Sequence, residues 1–208
     1  MSEETEIIFY HRVPSRAQAV RWMLEELGEP YDVRVLDFEK DEHKSLEFLA
    51  LNPMGKVPTI VHRGEPVSEA AAICAYLADA YPAAGLNVSN GSPGRGPYLK
   101  WLFFGPSCFE PAVFEHMMPR EGTLPASLGW GSLQSVLDTI AAGLSPGPWL
   151  MGDHFTAADV VIGSDLRWGQ MMNLLPENPV LEAYIGRLDE RPALKRATTL
   201  DDDLAVSI

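Results

Sequence analysis

The period of the apolar positions changes along the chain, and each change predicts an element. Residues 6–10 form a short apolar run of β type. From Ser15 onward, Ala17, Val20, Leu24 and Leu27 recur at helical spacings until Gly28 and Pro30 stop the pattern. Ser15 with Gln18 three residues on predicts a capping box at that helix start. Tyr31, Val33 and Val35 then alternate with Asp32 and Arg34, as a half-buried strand requires. The opening therefore reads as βαβ.

A polar helical stretch around residues 41–50 leads into the loop Asn52-Pro53-Met54-Gly55 and a strand over 57–62. Arg63-Gly64 makes a hairpin turn into Pro66-Val67. Ser68 then caps a second apolar helix carrying Ile73, Tyr76, Leu77 and Ala80, which ends before Pro82. Residues 83–97, rich in Gly, Pro and polar side chains, have the composition of a linker, with a domain boundary near residue 85.

Beyond it the apolar positions keep helical spacing and β-type alternation is missing, so the second half reads as all-α. Phe155-Thr156-Ala157-Ala158-Asp159-Val160 offers a Thr cap, an acidic residue at the third helical position and a Phe155–Val160 staple. Pro106 and Pro111 interrupt the apolar stretch Trp101–Met118 and must kink that helix or cut it in two. The expected fold class is an α/β N-terminal domain over 1–82, the linker 83–97, and an all-α helical bundle over 98–208. The tail Thr198–Ile208, with Asp201-Asp202-Asp203, reads as a solvated end, or as a tail lying over a pocket.

Composition narrows the chemistry. The 208 residues carry a formal charge of −13, and neither half is basic: eight basic against fifteen acidic residues over 1–82, eight against fourteen over the rest. Nucleic-acid binding by phosphate neutralisation is not expected. Cys74 and Cys108 lie far apart and the five His form no metal-ligand spacing, so neither a disulfide framework nor a metal site is expected. The N-terminal Met-Ser-Glu-Glu-Thr-Glu is acidic where a targeting peptide needs basic residues, and no apolar run approaches the ~20 residues of a membrane span. A cytoplasmic protein in reducing surroundings is expected, with no membrane partner.

The order βαβ then ββα, with Asn52-Pro53-Met54-Gly55-Lys56-Val57-Pro58 followed by Ser68-Glu69-Ala70-Ala71-Ala72-Ile73 and by the Phe155–Asp159 box, resembles the cytosolic glutathione transferase family along the whole chain. The resemblance implies a thioredoxin-like N-terminal domain that binds glutathione as a substrate, with no metal or organic cofactor. It further implies an all-α domain that holds a small apolar electrophile, and a homodimer. Val57, before a cis Pro58, would offer its main-chain N–H and C=O to the extended tripeptide, although a Val-Pro can also simply start a strand. Glu69 and the N–H of Ala70, at a helix start, would hold the γ-glutamyl end. Relatives commonly carry a hydroxyl residue at the position of Ala70, so one hydrogen bond is missing. His43 and Lys56, 13 residues apart as in theta-like members, would meet the glycyl carboxylate, with a solvated surface histidine as the other reading of His43.

A thiol with a pKa of about 8.5 is a weak nucleophile at neutral pH, and a hydroxyl at a helix N-terminus would favour its thiolate. Ser15 is placed for this, and also for plain helix capping. Tyr10 is its rival, since tyrosine-type classes carry their catalytic residue near that position, and the loop Tyr10–Ser15 leaves the class open. No Cys lies in this loop, which argues against the cysteine-type relatives that act on disulfides. Cys74, within an apolar helix, reads as core. Trp101, Phe104 and Cys108 share one helical side where the family builds its electrophile pocket, with a core or interface stripe as the alternative. Trp168, Met117, Met118, Met171 and Met172 could line the same cavity. The same parts would serve a glutathione-dependent peroxidase or isomerase, or a binding protein that has lost turnover.

Overall fold

A computed structural model describes residues 5–119 and 127–207. Residues 1–4, most of the acidic N-terminal stretch, lie outside them. The chain divides between Ala84 and Gly85 into two units, the first formed by residues 1–84 with 192–208 and the second by 85–191. Among the described residues no helix is long and apolar enough to cross a membrane.

In the first unit, strands β1 (Ile7–His11), β2 (Tyr31–Val35), β3 (Thr59–His62) and β4 (Glu65–Ser68) form one sheet in the order β2-β1-β3-β4. β1 runs parallel to β2, while β3 is antiparallel to both β1 and β4. Ile7, Phe9 and His11 are buried along one face of β1. The β3–β4 turn has positive φ at both Arg63 and Gly64, the type I′ geometry that matches the twist of a two-residue hairpin.

Helices α1 (Gln18–Leu27), α2 (Leu46–Leu51) and α3 (Ala70–Ala80) complete the βαβ and ββα parts. α1 buries Val20, Trp22, Met23 and Leu24 and ends where Gly28, at φ +73°, donates its N–H to the Leu24 carbonyl. The expected Ser15–Gln18 capping box does not form. Ser15 Oγ accepts from the N–H of Ala17 at 3.1 Å, and a 3₁₀-type turn (Gln18 N–H to Ser15 O, 3.3 Å) carries the chain into α1. Ser68 is no cap either: it ends β4, and Glu69 occupies the N-cap position of α3 without a side-chain cap bond. The polar stretch 41–50 splits into a 3₁₀ turn over Glu42–Lys44 and α2, which Ser45 caps by accepting from the Phe48 N–H.

The second unit contains α4 (Arg95–Phe104), α5 (Glu110–Met117), α6 (Leu133–Gly143), α7 (Ala157–Met171) and α8 (Pro179–Asp189). α7 is its central helix, buried almost without break from Ala157 to Ile162, with α4 and α8 packed on it. Its capping box is complete: Thr156 caps the helix, and the Asp159 side chain reaches back to the Thr156 N–H at 2.9 Å. The interruption expected at Pro106 and Pro111 takes the form of a break in the α-helical pattern: α4 stops at Phe104, and α5 starts at Glu110 with Pro111 in its first turn. A π-turn over Gly105–Phe109 joins α4 to α5, absorbing the amide that proline lacks.

Two parts of the domain reading are corrected by packing. α4 begins at Arg95, inside the stretch read as linker. That stretch is tied into the helical unit where the Ala157 N–H donates to Leu86 O at 2.8 Å and Arg95 donates to Val88 O at 2.7 Å. Helix α9 (Pro192–Ser207) belongs with the first unit, packed on α1, rather than with the bundle. Asp201 is correspondingly 2% exposed, not part of a solvated end.

Candidate functional site

The end of β1 and the loop after it hold the first group of candidate residues. Tyr10 lies on the opposite face of β1 from Phe9 and His11, half-buried, its ring 5.3 Å from that of Phe48 on α2. The chain then turns through Arg12-Val13-Pro14-Ser15, with a cis Val13–Pro14 bond that the sequence reading did not anticipate. Ser15 is half-buried and donates its hydroxyl proton to the Arg12 carbonyl at 2.5 Å while accepting from Ala17. Its oxygen is therefore fixed at the start of the helical turn, with its proton on a backbone partner. The Arg12 guanidinium lies 4.8 Å over the Phe38 ring, and His43 stacks on Phe38 at 4.0 Å, so one aromatic ring gathers both residues.

The second group is organised by a side chain of the 52–55 loop. Asn52, 3% exposed, donates to Lys56 O at 2.9 Å and to Thr59 Oγ1 at 3.0 Å, and its Oδ1 accepts from the Met54 N–H at 3.1 Å. Thr59 Oγ1 also donates to Lys56 O. This clamp ends at Val57 and Pro58, joined by a cis bond. Among the described residues neither the N–H nor the C=O of Val57 is hydrogen-bonded, because β3 begins only at Thr59. Gly55, at φ +60°, lies so close to the His43 backbone that a Cβ would meet His43 O at 2.8 Å. The exposed Lys56 follows Gly55 directly, so the chain that carries it passes against the His43 backbone.

The third group is the start of α3. Glu69 is exposed and held at φ +72°, ψ +119°, a conformation that costs a non-glycine residue about 1–3 kcal/mol. With no side-chain cap, the first N–H groups of α3, Ala70's included, point out of the helix start. An unpaired backbone edge, an open helix N-terminus and the exposed cation of Lys56 suit a peptide that carries two carboxylates.

In the helical unit the aromatic candidates separate. Trp101 is 4% exposed and packs so tightly on Gly143 of α6 that a Cβ there would meet its ring at 2.2 Å, while Lys100 Nζ lies 3.6 Å over the ring. Its position is that of a core residue, the alternative weighed from the sequence. Phe104 and Cys108 stay half-buried, Cys108 within the π-turn. Phe114 and Trp168 lie 6.3 Å apart between α5 and α7, and Met117, Met118, Met171 and Met172 are exposed near those helix ends. Cys74 is fully buried in α3.

Residues 5–79 match the model of the glutathione S-transferase N-terminal domain, and residues 111–187 match that of the glutathione S-transferase C-terminal domain. The chain is 31% identical to Glutathione S-transferase 3 of Zea mays over 150 residues, 67% of each chain. This chain belongs to the glutathione S-transferase family. It is also 28% identical to the Disulfide-bond oxidoreductase YfcG of Escherichia coli, over 92% of this chain and 94% of that one. Among solved structures it resembles a glutathione transferase from Methylococcus capsulatus (TM-score 0.80, 28% identity, 94% and 98% of the two chains). It resembles equally URE2P6 from Phanerochaete chrysosporium in complex with oxidized glutathione (TM-score 0.80, 26% identity, 98% and 99%).

Two features of this glutathione S-transferase chain carry no motif of their own. Asn52 was visible as a loop residue, but its role as the clamp on Lys56 O needed the partner Thr59 to be placed. His11 and Asp201 had no local signal at all: His11 Nε2 lies 2.8 Å from Asp201 Oδ1, both residues buried, and Arg21 Nε lies 2.7 Å from the same oxygen. Among the described residues no group of three or more His, Cys, Asp or Glu side chains gathers to hold a metal ion.

Proposed function

We propose that this chain binds glutathione along the Val57 edge and activates it as the thiolate near Ser15 for attack on an apolar electrophile. The observation that carries this is the unpaired main chain of Val57 beside the uncapped, strained start of α3. In this reading the cysteinyl backbone pairs with Val57. The γ-glutamyl carboxylate meets the Ala70 N–H while Glu69 meets the amine, and the glycyl carboxylate meets Lys56 and His43. The Ser15 hydroxyl turns from Arg12 O to donate to sulfur, still accepting from Ala17, which one hydroxyl can do at once. The thiol proton leaves to solvent, the sulfur forms a bond to the electrophilic carbon, and the leaving group departs with its electron pair. Within the helical unit, Phe104 and Cys108 are the candidates for electrophile contact, with the buried Trp101 packed on Phe104. The working form in this reading is a cytoplasmic homodimer, which light scattering tests.

Calorimetric titration with glutathione, with the thiolate absorbance followed from about pH 5 to 9 for wild type, Ser15→Ala and Tyr10→Phe, tests the proposal. Binding with a depressed thiol pKa that one variant abolishes supports it and names the hydroxyl. Failure to bind at millimolar glutathione overturns it.

The similarity to a disulfide-bond oxidoreductase over nearly the whole chain favours a second reading, in which the same thiolate attacks a disulfide sulfur and expels the other sulfur as thiolate. Turnover of a glutathione mixed disulfide by the Cys74→Ser, Cys108→Ser double variant, with no conjugation of chlorodinitrobenzene, would select it.

A further inference from the structure

We propose that Asp201, on the C-terminal helix, is a positioning residue for thiol activation, acting through His11 on the turn that holds Ser15. The inference rests on the reading of Ser15 given above. His11 is the last residue of β1, fully buried, its ring stacked on Phe9 at 4.7 Å. Its Nε2 lies 2.8 Å from a carboxylate oxygen, an acceptor, so Nε2 carries the proton and donates it. Arg12 follows His11 directly, and the Arg12 carbonyl holds the Ser15 proton. A path thus runs from Asp201 to the His11 ring and through the Arg12–Ser15 segment to the Ser15 oxygen, which the Ala17 N–H keeps in place when the hydroxyl proton turns to sulfur.

Two observations set this apart from simple docking of a helix. α9 is already fastened to α1 by Arg196, which donates to Glu25 Oε2 at 3.0 Å and to Glu25 O at 2.9 Å at an exposed site. Asp201 instead enters the interior, where a carboxylate is costly unless cations and donors surround it, and both its partners meet it through one oxygen. One partner is Arg21 of α1, 4% exposed, and the other ends the strand leading into the reactive loop. The buried charge therefore fixes the end of β1 against the start of the first helix, the two pieces between which Arg12–Ser15 is strung. A small displacement there shifts the hydroxyl relative to a bound sulfur, and misplacement by about 1 Å can cost up to about 100-fold in rate.

The test uses the full chain as wild type, Asp201→Asn, Asp201→Ala, Asp201→Glu, Arg196→Ala and Ser15→Ala, each checked for cooperative thermal unfolding. Glutathione is titrated by calorimetry, the bound thiol by thiolate absorbance against pH, and kcat is measured with chlorodinitrobenzene. Asp201→Asn is expected to raise the bound thiol pKa and lower kcat about 10-fold at unchanged glutathione Kd, with partial rescue by Asp201→Glu and no effect of Arg196→Ala. The Asp201→Asn effect should vanish in a Ser15→Ala background. An Asp201→Asn protein that folds and keeps the wild-type thiol profile overturns the proposal and leaves the Ser15 reading intact. Equal effects of Asp201→Asn and Arg196→Ala, or full additivity with Ser15→Ala, also overturn it. A wild-type bound thiol that titrates like free glutathione overturns both readings. Should Asp201→Ala fail to fold, Asp201→Asn, which keeps the shape and one acceptor oxygen, decides.

Discussion

Tyr184 donates its hydroxyl proton to Asp159 Oδ1 across 2.9 Å, with both side chains fully buried. The same carboxylate accepts from the N–H groups of Leu150 and Thr156. It thereby joins the start of α7 to α8 and to the segment before the helix. Burial raises the carboxyl pKa of Asp159 against the lowering effect of these bonds, and it pushes the Tyr184 hydroxyl well above its ordinary value.

Replacing Asp159 by Ala strands at least three buried donors, each worth about 1–3 kcal/mol. Asp159→Ala is therefore expected to lose at least about 3 kcal/mol in denaturant unfolding, and Tyr184→Phe about 1 kcal/mol. Equal losses for the two variants would show that the box carries little beyond the tyrosine bond.

His62 is 1% exposed and held between two phenols, Nδ1 2.8 Å from Tyr76 Oη and Nε2 3.0 Å from Tyr81 Oη. Burial, followed by the nearby Arg63 charge, holds its pKa below the usual 6.5, while Glu6 acts in the opposite direction. Above that value both the folded and unfolded chains carry a neutral ring. Below it the unfolded chain takes up a proton that the folded chain refuses, so stability falls with pH until the lowered folded pKa is passed. His62→Gln should flatten the stability profile below about pH 6.5. An unchanged slope in that window would remove His62 as its source.

The clamp on Lys56 O predicts a loss of function with modest loss of fold. Asn52→Ala removes the two donated bonds and the acceptor for Met54, and is expected to destabilise by about 2 kcal/mol and to weaken glutathione binding about 10-fold by calorimetry. Gly55→Ala meets both a positive φ and the His43 carbonyl, so it should weaken binding to a similar degree. Unaltered affinity in both variants would show that the Val57 edge does not depend on this loop.

Ala70 leaves the α3 start with a backbone donor and no hydroxyl. Ala70→Ser is expected to tighten glutathione by about 1 kcal/mol, close to fivefold in Kd, without changing the bound thiol pKa. A weaker or unchanged affinity would place the γ-glutamyl carboxylate elsewhere.

The four strands and the order of the elements could be read from the sequence because they depend on local period and on turn residues. Alternation at Tyr31–Val35, helical spacing from Ala17 to Leu27 and Arg63-Gly64 are all contained within a few residues. The Thr156–Asp159 box was legible for the same reason, since a cap and its third helical residue satisfy each other without help from elsewhere. The helix starts differ from the local pattern at Ser15 and Ser68, where the N-cap positions are Ala17 and Glu69. A serine before an apolar helix looks like a cap whether its oxygen meets the second amide or the third, and whether or not the preceding strand has ended.

What the sequence by itself determined is the pattern of strands and helices, and with it the family resemblance and the motif segments of the site. The placement of α9 on α1, the burial of Asp201 beside His11 and Arg21, the burial of Trp101 on Gly143 and the approach of Gly55 to His43 were decided by tertiary structure. Each depends on which surfaces meet. Three consecutive aspartates look solvated in any local window, and only a buried arginine and histidine from the other end of the chain make it favourable for one of them to leave water.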